Sequence, residues 1–481
     1  MNEHGEREQM MAALIAPDIL DLLDEAPSLI PVETEEMHAA DLADVAEALP
    51  RDRVAELLAA LQPERAADVM EYLDEDLRTE ILESISTRDA AAIVTEMNPD
   101  DRADALEELE DETYEEILSE IPAEARRETE QLIAYDPDTA GGLMTTEFVS
   151  VDASTRVEDA LARVRVLARG PKHEAMNAIY ATDEQNHLRG VLSLRELLAA
   201  PEGATIGDIA WSEVVSVQTS ADREEVARLT SNYDLVAIPI VDDDNHIIGV
   251  VTVDDVIDAL QEEHTEDVQK FGGMEALDEP YTQISFARMI GKRAGWLSAL
   301  FLSEMLTASA MQHFSDELAK AVVLMLFVPL VMSSGGNSGS QATSLIIRAL
   351  ALGEIRVRDW WRVALRELPA GLTLGAILGV IGFCRISLWQ FMWAHGWRVG
   401  SLHLGYDYGA HHVILAFTVA VALVGIVGFG SLAGSMLPFV LRRLGFDPAS
   451  ASAPFVATLV DVTGLTIYFM VAYTILHGTL L

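Results

Sequence analysis

Asp461 is the first residue to ask for chemistry, because its apolar surroundings do not explain a carboxylate. It stands in the run APFVATLVDVTGLTIYF, part of a stretch long enough to cross a bilayer. An ionisable side chain at the bilayer centre costs on the order of 2.5–3.5 kcal/mol, so its presence points to an ion or a proton. Glu304 is a second acid, midway in the apolar stretch 294–314. It can face a polar path, carry a proton, or reach Lys292 or Lys320 by snorkelling. A third apolar stretch holds SSGGNSGSQ over residues 333–341. Its Gly and Ser suit close helix packing or a turn, whereas Asn337 and Gln341 offer amide oxygens to a hydrated ion. Oxygen-only ligands suit a hard cation. Mg²⁺ dehydrates reluctantly, so carboxylates around a hydrated ion make a workable selectivity site.

Other chemistry is less well supported by the sequence. His395, His403, Asp407, His411 and His412 fall close together and would suit a transition metal. The DDDN run, 242–245, reads as a hairpin turn because the ligand spacing of a Ca²⁺ loop is absent. GIVGFGSLAG, 425–434, imitates a nucleotide fingerprint but lies within an apolar run and reads as helix packing. There is no GxxxxGK[ST] motif and no nucleophile–base arrangement, so an enzyme is not expected. Cys384 is the single cysteine, which excludes a disulfide framework. The N-terminus does not read as a signal peptide.

The elements that must position these residues divide by charge. Residues 1–285 hold roughly 69 acidic against about 19 basic side chains, and the remainder is apolar and slightly basic. A polyanion repels nucleic acid and attracts cations. In the second part, five stretches are long enough to span: 294–314, 321–347, 369–392, 413–440 and 454–476. Arg288, Lys292 and Arg293, then Arg348, Arg356, Arg358, Arg362 and Arg366, then Arg442 and Arg443 all fall on one side of such a bundle. The positive-inside rule puts that side, and the acidic N-terminal part, in the cytosol, with the C-terminus outside.

Within the acidic part, residues 36–133 repeat short apolar patterns at helical spacing, each too short to be stable alone, so they must stack as a small superhelix. Pro99-Asp100 and Thr87 read as helix starts. After Tyr135, VSVDAST is answered by VSVQTSA, and HLRGVLSLRELL by HIIGVVTVDDVI. These two βαββα units resemble a pair of CBS domains, a module that regulates many unrelated proteins. An acidic helix follows from Val253 to about Lys270, stopped by Gly272-Gly273.

Taken with TAGGLMTTEFVSV, GGNSGSQATSLIIRAL and FVATLVDVTG, this order of parts resembles the MgtE family of bacterial Mg²⁺ transporters. The fold expected is multidomain: an N-terminal extension (1–35), an all-α superhelical N domain (36–134), tandem α/β CBS domains (135–200 and 201–261), an acidic plug helix and linker (253–285), and a five-helix all-α transmembrane domain (286–481). The resemblance implies a homodimer in the inner membrane, a pore along the two-fold axis lined by Asp461, and a plug helix that closes it when cytosolic Mg²⁺ bridges the acidic modules. By the same resemblance the regulatory acids are Asp68, Asp100 and Asp104 in the N domain and Asp222, Glu224 and Asp234 in the second CBS unit. Asp255, Asp258, Glu263, Glu266 and Asp267 belong to the connecting helix. ATP at the first CBS unit would use Arg195 and Glu196, although Ala178 and Leu235 stand where aromatic residues would stack the base. Where the family pattern has Asn before the Pro of the last span, this chain has Ala453. The alternatives are transport of Co²⁺ or Mn²⁺, and a membrane-tethered CBS sensor that conducts nothing.

Overall fold

The computed structural model describes residues 3–169, 175–277, 281, 284–314, 322–399 and 402–479. Lys320, residue 321 of the second expected span, and residues 278–280 and 282–283 of the linker lie outside the described residues. The chain divides into two packed units, Met1–Gln261 and Glu262–Leu481.

The first unit begins with α1 (Glu3–Glu25) and α2 (Ile30–Glu33). Eight short helices follow: α3 (Ala39–Glu47), α4 (Arg51–Ala60), α5 (Pro63–Met70), α6 (Glu75–Ser84), α7 (Thr87–Glu96), α8 (Pro99–Glu107), α9 (Asp111–Glu120) and α10 (Ala123–Leu132). They stack in two ranks, with α3, α5, α7 and α9 in one and α4, α6, α8 and α10 in the other. One continuous apolar core, from Ala12 to Ile121, lies within this stack. Repetition shows in the polar contacts as well. Along the even rank, Arg51 pairs with Glu80 at 2.6 Å, Arg78 with Glu108, and the buried Arg102 with Glu128 at 2.7 Å. The N-caps refine the expected starts: Ser86 caps α7, its hydroxyl accepting the Asp89 N–H, and Pro99 takes the first position of α8.

Two three-stranded sheets follow. β1 (Phe148–Asp152), β2 (Ala175–Thr182) and β3 (Leu188–Ser193) carry α11 (Val157–Leu167) and α12 (Leu194–Ala199); α13 (Ile206–Ile209) lies in the connection. β4 (Val217–Gln218), β5 (Ala237–Val241) and β6 (Ile247–Thr252) carry α14 (Arg223–Tyr233) and α15 (Val253–Phe271). Each sheet has one parallel and one antiparallel pairing, as a βαββ order requires. Their hairpin turns clasp each other. Asn186, at φ +65°, donates its amide to the Ile247 carbonyl at 3.1 Å, and Asn245, at φ +67°, donates to Leu188 at 3.1 Å. The His187 and His246 rings stack at 4.4 Å. The DDDN run is therefore a hairpin, its Asp242 carboxylate accepting the Asp244 and His246 N–H groups.

The edges are exchanged. Thr145, which precedes β1, bridges Val250 of the second sheet, and Trp211, which precedes β4, bridges Val191 of the first. TAGGLMTT needs its glycines for this path. A side chain at Gly142 would meet the Asp136 carbonyl and Pro137 at 2.6 Å.

In the second unit, α16 (Phe286–His313), α17 (Val328–Ala351), α18 (Trp360–Ala394), α19 (His412–Arg443) and α20 (Ala453–Leu476) form an all-helical bundle. α19 is central and packs on α17, α18 and α20, while α16 lies along α20. Among the described residues, four helical stretches are long and apolar enough to cross a membrane: Val322–Ala351, Val357–Ala394, His412–Arg443 and Ala453–Leu476. The first of the five expected spans, within α16, is long enough at 28 residues but is not among the four; Glu304 and its polar neighbours dilute its apolar character. α18 also starts before the expected boundary, because Pro369 lies inside the helix.

GGNSGSQ is not a turn. It is continuous helix in α17, since its small residues let backbones meet. A side chain built at Gly434 would come within 2.2 Å of the Gly339 carbonyl, and one at Gly430 within 2.4 Å of Gly335. Ser338 and Ser431 share a hydrogen bond of 2.7 Å at this buried crossing. Gly434→Val is expected to cost about 1–3 kcal/mol or more through overpacking, read as a lower melting temperature in detergent. An unchanged melting temperature would refute the close approach.

Candidate functional site

The regulatory carboxylates are best built from α8 outward. Pro99 starts the helix and places Asp100 in its first turn, where exposed N–H groups favour a negative charge. Ala103, one turn later on α8, joins the core of the second CBS unit together with Ala140, Ile240 and Val256. That packing buries Asp100 to 9 % exposure. Its Oδ1 has no hydrogen-bond partner among the described residues. Asp255, in the first turn of α15, accepts hydrogen bonds from the Thr252 hydroxyl and N–H.

Asp100 in turn acts on Asp255. Burial, then the charge of Asp100, raises Asp255 to about 8. Asp100 is pushed well above the usual carboxylate range by burial and by Asp101 and Asp104, against a hydrogen bond from the Thr145 hydroxyl. Two desolvated acids with an orphaned oxygen need a shared proton or a cation. The donor set is all oxygen, which fits a hard divalent ion.

The other candidate acids are more scattered. Asp68 is half-buried and pairs with Arg65 of its own helix at 3.8 Å, and Asp104 is exposed. Asp222 caps α14 by accepting the Glu224 N–H at 2.8 Å, and Asp234 is exposed at the left-handed end of that helix. Asp258 is raised by burial and by Asp254. Near the end of α15, Lys270 pairs with Glu266 and with Asp447 at 2.8 Å. Asp267, half-buried there, is raised to about 6 by burial and then by the charges of Asp447 and Glu263. Among the described residues, no three His, Cys, Asp or Glu side chains converge closely enough to hold a metal.

The histidines between residues 395 and 412 follow the same rule and do not form the metal cluster their spacing suggested. His395 bonds the Phe391 carbonyl, His403 stacks on Trp393, and His412 bonds the Gly409 carbonyl, so each ring serves local structure. Glu196 is likewise occupied. It closes a capping box with Ser193 and accepts the Trp211 indole N–H at 2.7 Å. Glu196, expected beside Arg195 at a nucleotide position, thus has a structural use that its sequence position does not reveal.

In the membrane unit, Asn337 and Gln341 share the face of α17 opposite its packed glycines, and both are exposed. Asp461 is half-buried on α20. Glu304 of α16 is the charged neighbour that acts on Asp461, a relation its sequence position left open. α17 and α20 meet antiparallel where Gly335 approaches Val460 and Gly339 approaches Val456, which sets Asp461 level with Ser334, about one helical turn from Asn337.

Comparisons with known proteins identify the parts of the chain by family. The chain matches the family described as "Divalent cation transporter" over residues 328–471, the "MgtE intracellular N domain" over 37–138, and the CBS domain over 140–203 and 206–262. The magnesium transporter MgtE of Thermus thermophilus is 42% identical over 73% of this chain and 73% of its own. That of Enterococcus faecalis is 33% identical over 73% of this chain and 72% of its own. Among solved structures, "the cytosolic domain of the Mg2+ channel MgtE in complex with ATP" is 35% identical, covering 51% of this chain and 99% of that one, with a TM-score of 0.48. The soluble part of a magnesium transporter is 30% identical, covering 54% and 98%, with a TM-score of 0.47. These curated relatives are transporters rather than enzymes or non-conducting sensors, and this membrane-spanning chain belongs to the MgtE family of magnesium transporters.

Proposed function

We propose that the chain is a Mg²⁺ uptake channel of the bacterial inner membrane, working as a homodimer with its path on the two-fold axis. Its N-terminal units are cytosolic and its C-terminus is outside. Asp461 of each copy, with Asn337 and Gln341 from α17, receives the hydrated ion. Cytosolic Mg²⁺ closes the path by joining carboxylates on the N domain, the second CBS unit and α15.

The buried Asp100, with an orphaned oxygen and its charge acting on Asp255, is the observation that carries this reading. Without a cation the pair resists packing; with one the repulsion becomes attraction, and the compact form gains population. Asp222, Glu224 and Asp234 would contribute only if α14 approaches another module, and Asp68 and Asp104 only from the surface of the stack. ATP at the first CBS unit would have to compete with the hydrogen bonds that hold Glu196.

Flux into proteoliposomes, measured while Mg²⁺ on the cytosolic side is varied, tests the reading. It is expected to fall as that concentration rises through the millimolar range. Flux indifferent to it would reject the gating role, and a monomer that conducts fully would reject the shared path.

A further inference from the structure

α15 carries seven acids and a single lysine, Lys270, placed one residue before its end. That lysine lies between Glu266 of its own helix and Asp447 of the connection from α19 to α20. Asp447 is itself fixed in place. Its Oδ1 accepts the Ala449 N–H at 2.8 Å, starting the turn Pro448–Ser450. Beside the ion pair, Phe271 packs against Ile347, Ala449 and Ala451. Gly273, at φ +78°, lets the chain pass so close that a side chain there would meet Pro454 and Trp296 at 3.1 Å. The Trp296 indole donates to Ser452 at 3.1 Å, and Ser452 caps the helix that carries Asp461. The end of the acidic helix is thus moored to the start of the candidate pore helix.

We infer that Lys270 is a positioning residue for transport, a tethered cation that keeps the end of α15 docked on the Asp447 connection before any divalent ion binds. Glu263, Glu266 and Asp267 on α15 and Asp447 opposite would otherwise repel. The ammonium cancels part of that repulsion, so the mobile ion has less to overcome. The inference rests on reading α15 as the closing element, and two measurements separate them.

In full-length, metal-free protein, Lys270→Met is expected to speed chymotryptic cleavage after Phe271 by roughly three- to tenfold, whereas Lys270→Arg keeps the parent rate. In proteoliposomes, Lys270→Met is expected to raise the cytosolic Mg²⁺ needed for half-closure by about the same factor, with Lys270→Arg close to the parent. Cleavage unchanged in Lys270→Met, or equally fast in Lys270→Arg, would overturn the tether. If flux ignores cytosolic Mg²⁺ in every variant while the cleavage difference persists, the tether stands and the gating reading falls.

Discussion

Replacing Asp461 by Ala is expected to lower Mg²⁺ flux at least about tenfold while leaving the folded, monodisperse protein intact. A carboxylate near a divalent ion in partly screened surroundings contributes several kcal/mol of gross attraction, and only about 1.4 kcal/mol of net loss is needed for that factor. Packing does not depend on this side chain, which is half-buried, so the loss should not be an unfolding effect. Asp461→Asn keeps an oxygen but not the charge and should fall between. Glu304→Gln removes the neighbouring acid and should have the smaller effect, since α16 contributes it from outside the α17–α20 contact. Proteoliposome flux with a Mg²⁺-sensitive dye decides the matter. Equal flux in Asp461→Ala and the parent would remove Asp461 from the path.

The second large effect concerns the Asp100–Asp255 pair, and its sign with pH follows from the raised values. Below about pH 4 the carboxyl of Asp255 is protonated in folded and unfolded chains alike, and nothing is gained or lost. Between about pH 4 and about 8 the folded form holds a proton that the unfolded chain has released. Stability of the first unit therefore falls as pH rises through that window, by an amount on the order of a few kcal/mol at its upper end. A divalent ion bound at the pair replaces the proton and should restore what was lost, strongly near pH 8 and little near pH 5. Thermal melting in chelator and in millimolar Mg²⁺, across this range, should show that crossing pattern. Asp255→Asn should flatten both the pH slope and the Mg²⁺ gain, and Asp100→Asn should raise the Mg²⁺ needed for closure about tenfold or more. A Mg²⁺ gain that survives in both variants would place the sensor elsewhere.

How far these features could be read in advance differs residue by residue. Helical spacing was enough for α3–α10 because each short helix repeats the same apolar demand. The βαββα repeats and the Gly272-Gly273 stop of α15 were visible because turn chemistry is local. SSGGNSGSQ shows where local rules mislead. In water such a run favours a turn, but against Gly430 and Gly434 the same small side chains are what allow a straight helix to pack. The burial of Asp100, the proximity of Glu304 to Asp461 and the pairing of Lys270 with Asp447 were not visible. Each depends on partners from about 150 to 180 residues away, and no periodicity records such a distance. Abundance also hides function: among so many acids, only burial distinguishes Asp100 from its exposed neighbour Asp104.

The exchanged edges at Thr145–Val250 and Trp211–Val191 bear on how the chain is made. During synthesis the segment that closes the second sheet leaves the ribosome about a hundred residues before its partner strand. It must wait unpaired, and the first sheet likewise lacks its bridge from Val191 until residue 211 has emerged. The second sheet is sealed only after β6 is complete, shortly before the first helix of the bundle is translated. A break in the chain between the two sheets would leave two raw edges rather than one separable domain, and such fragments should aggregate.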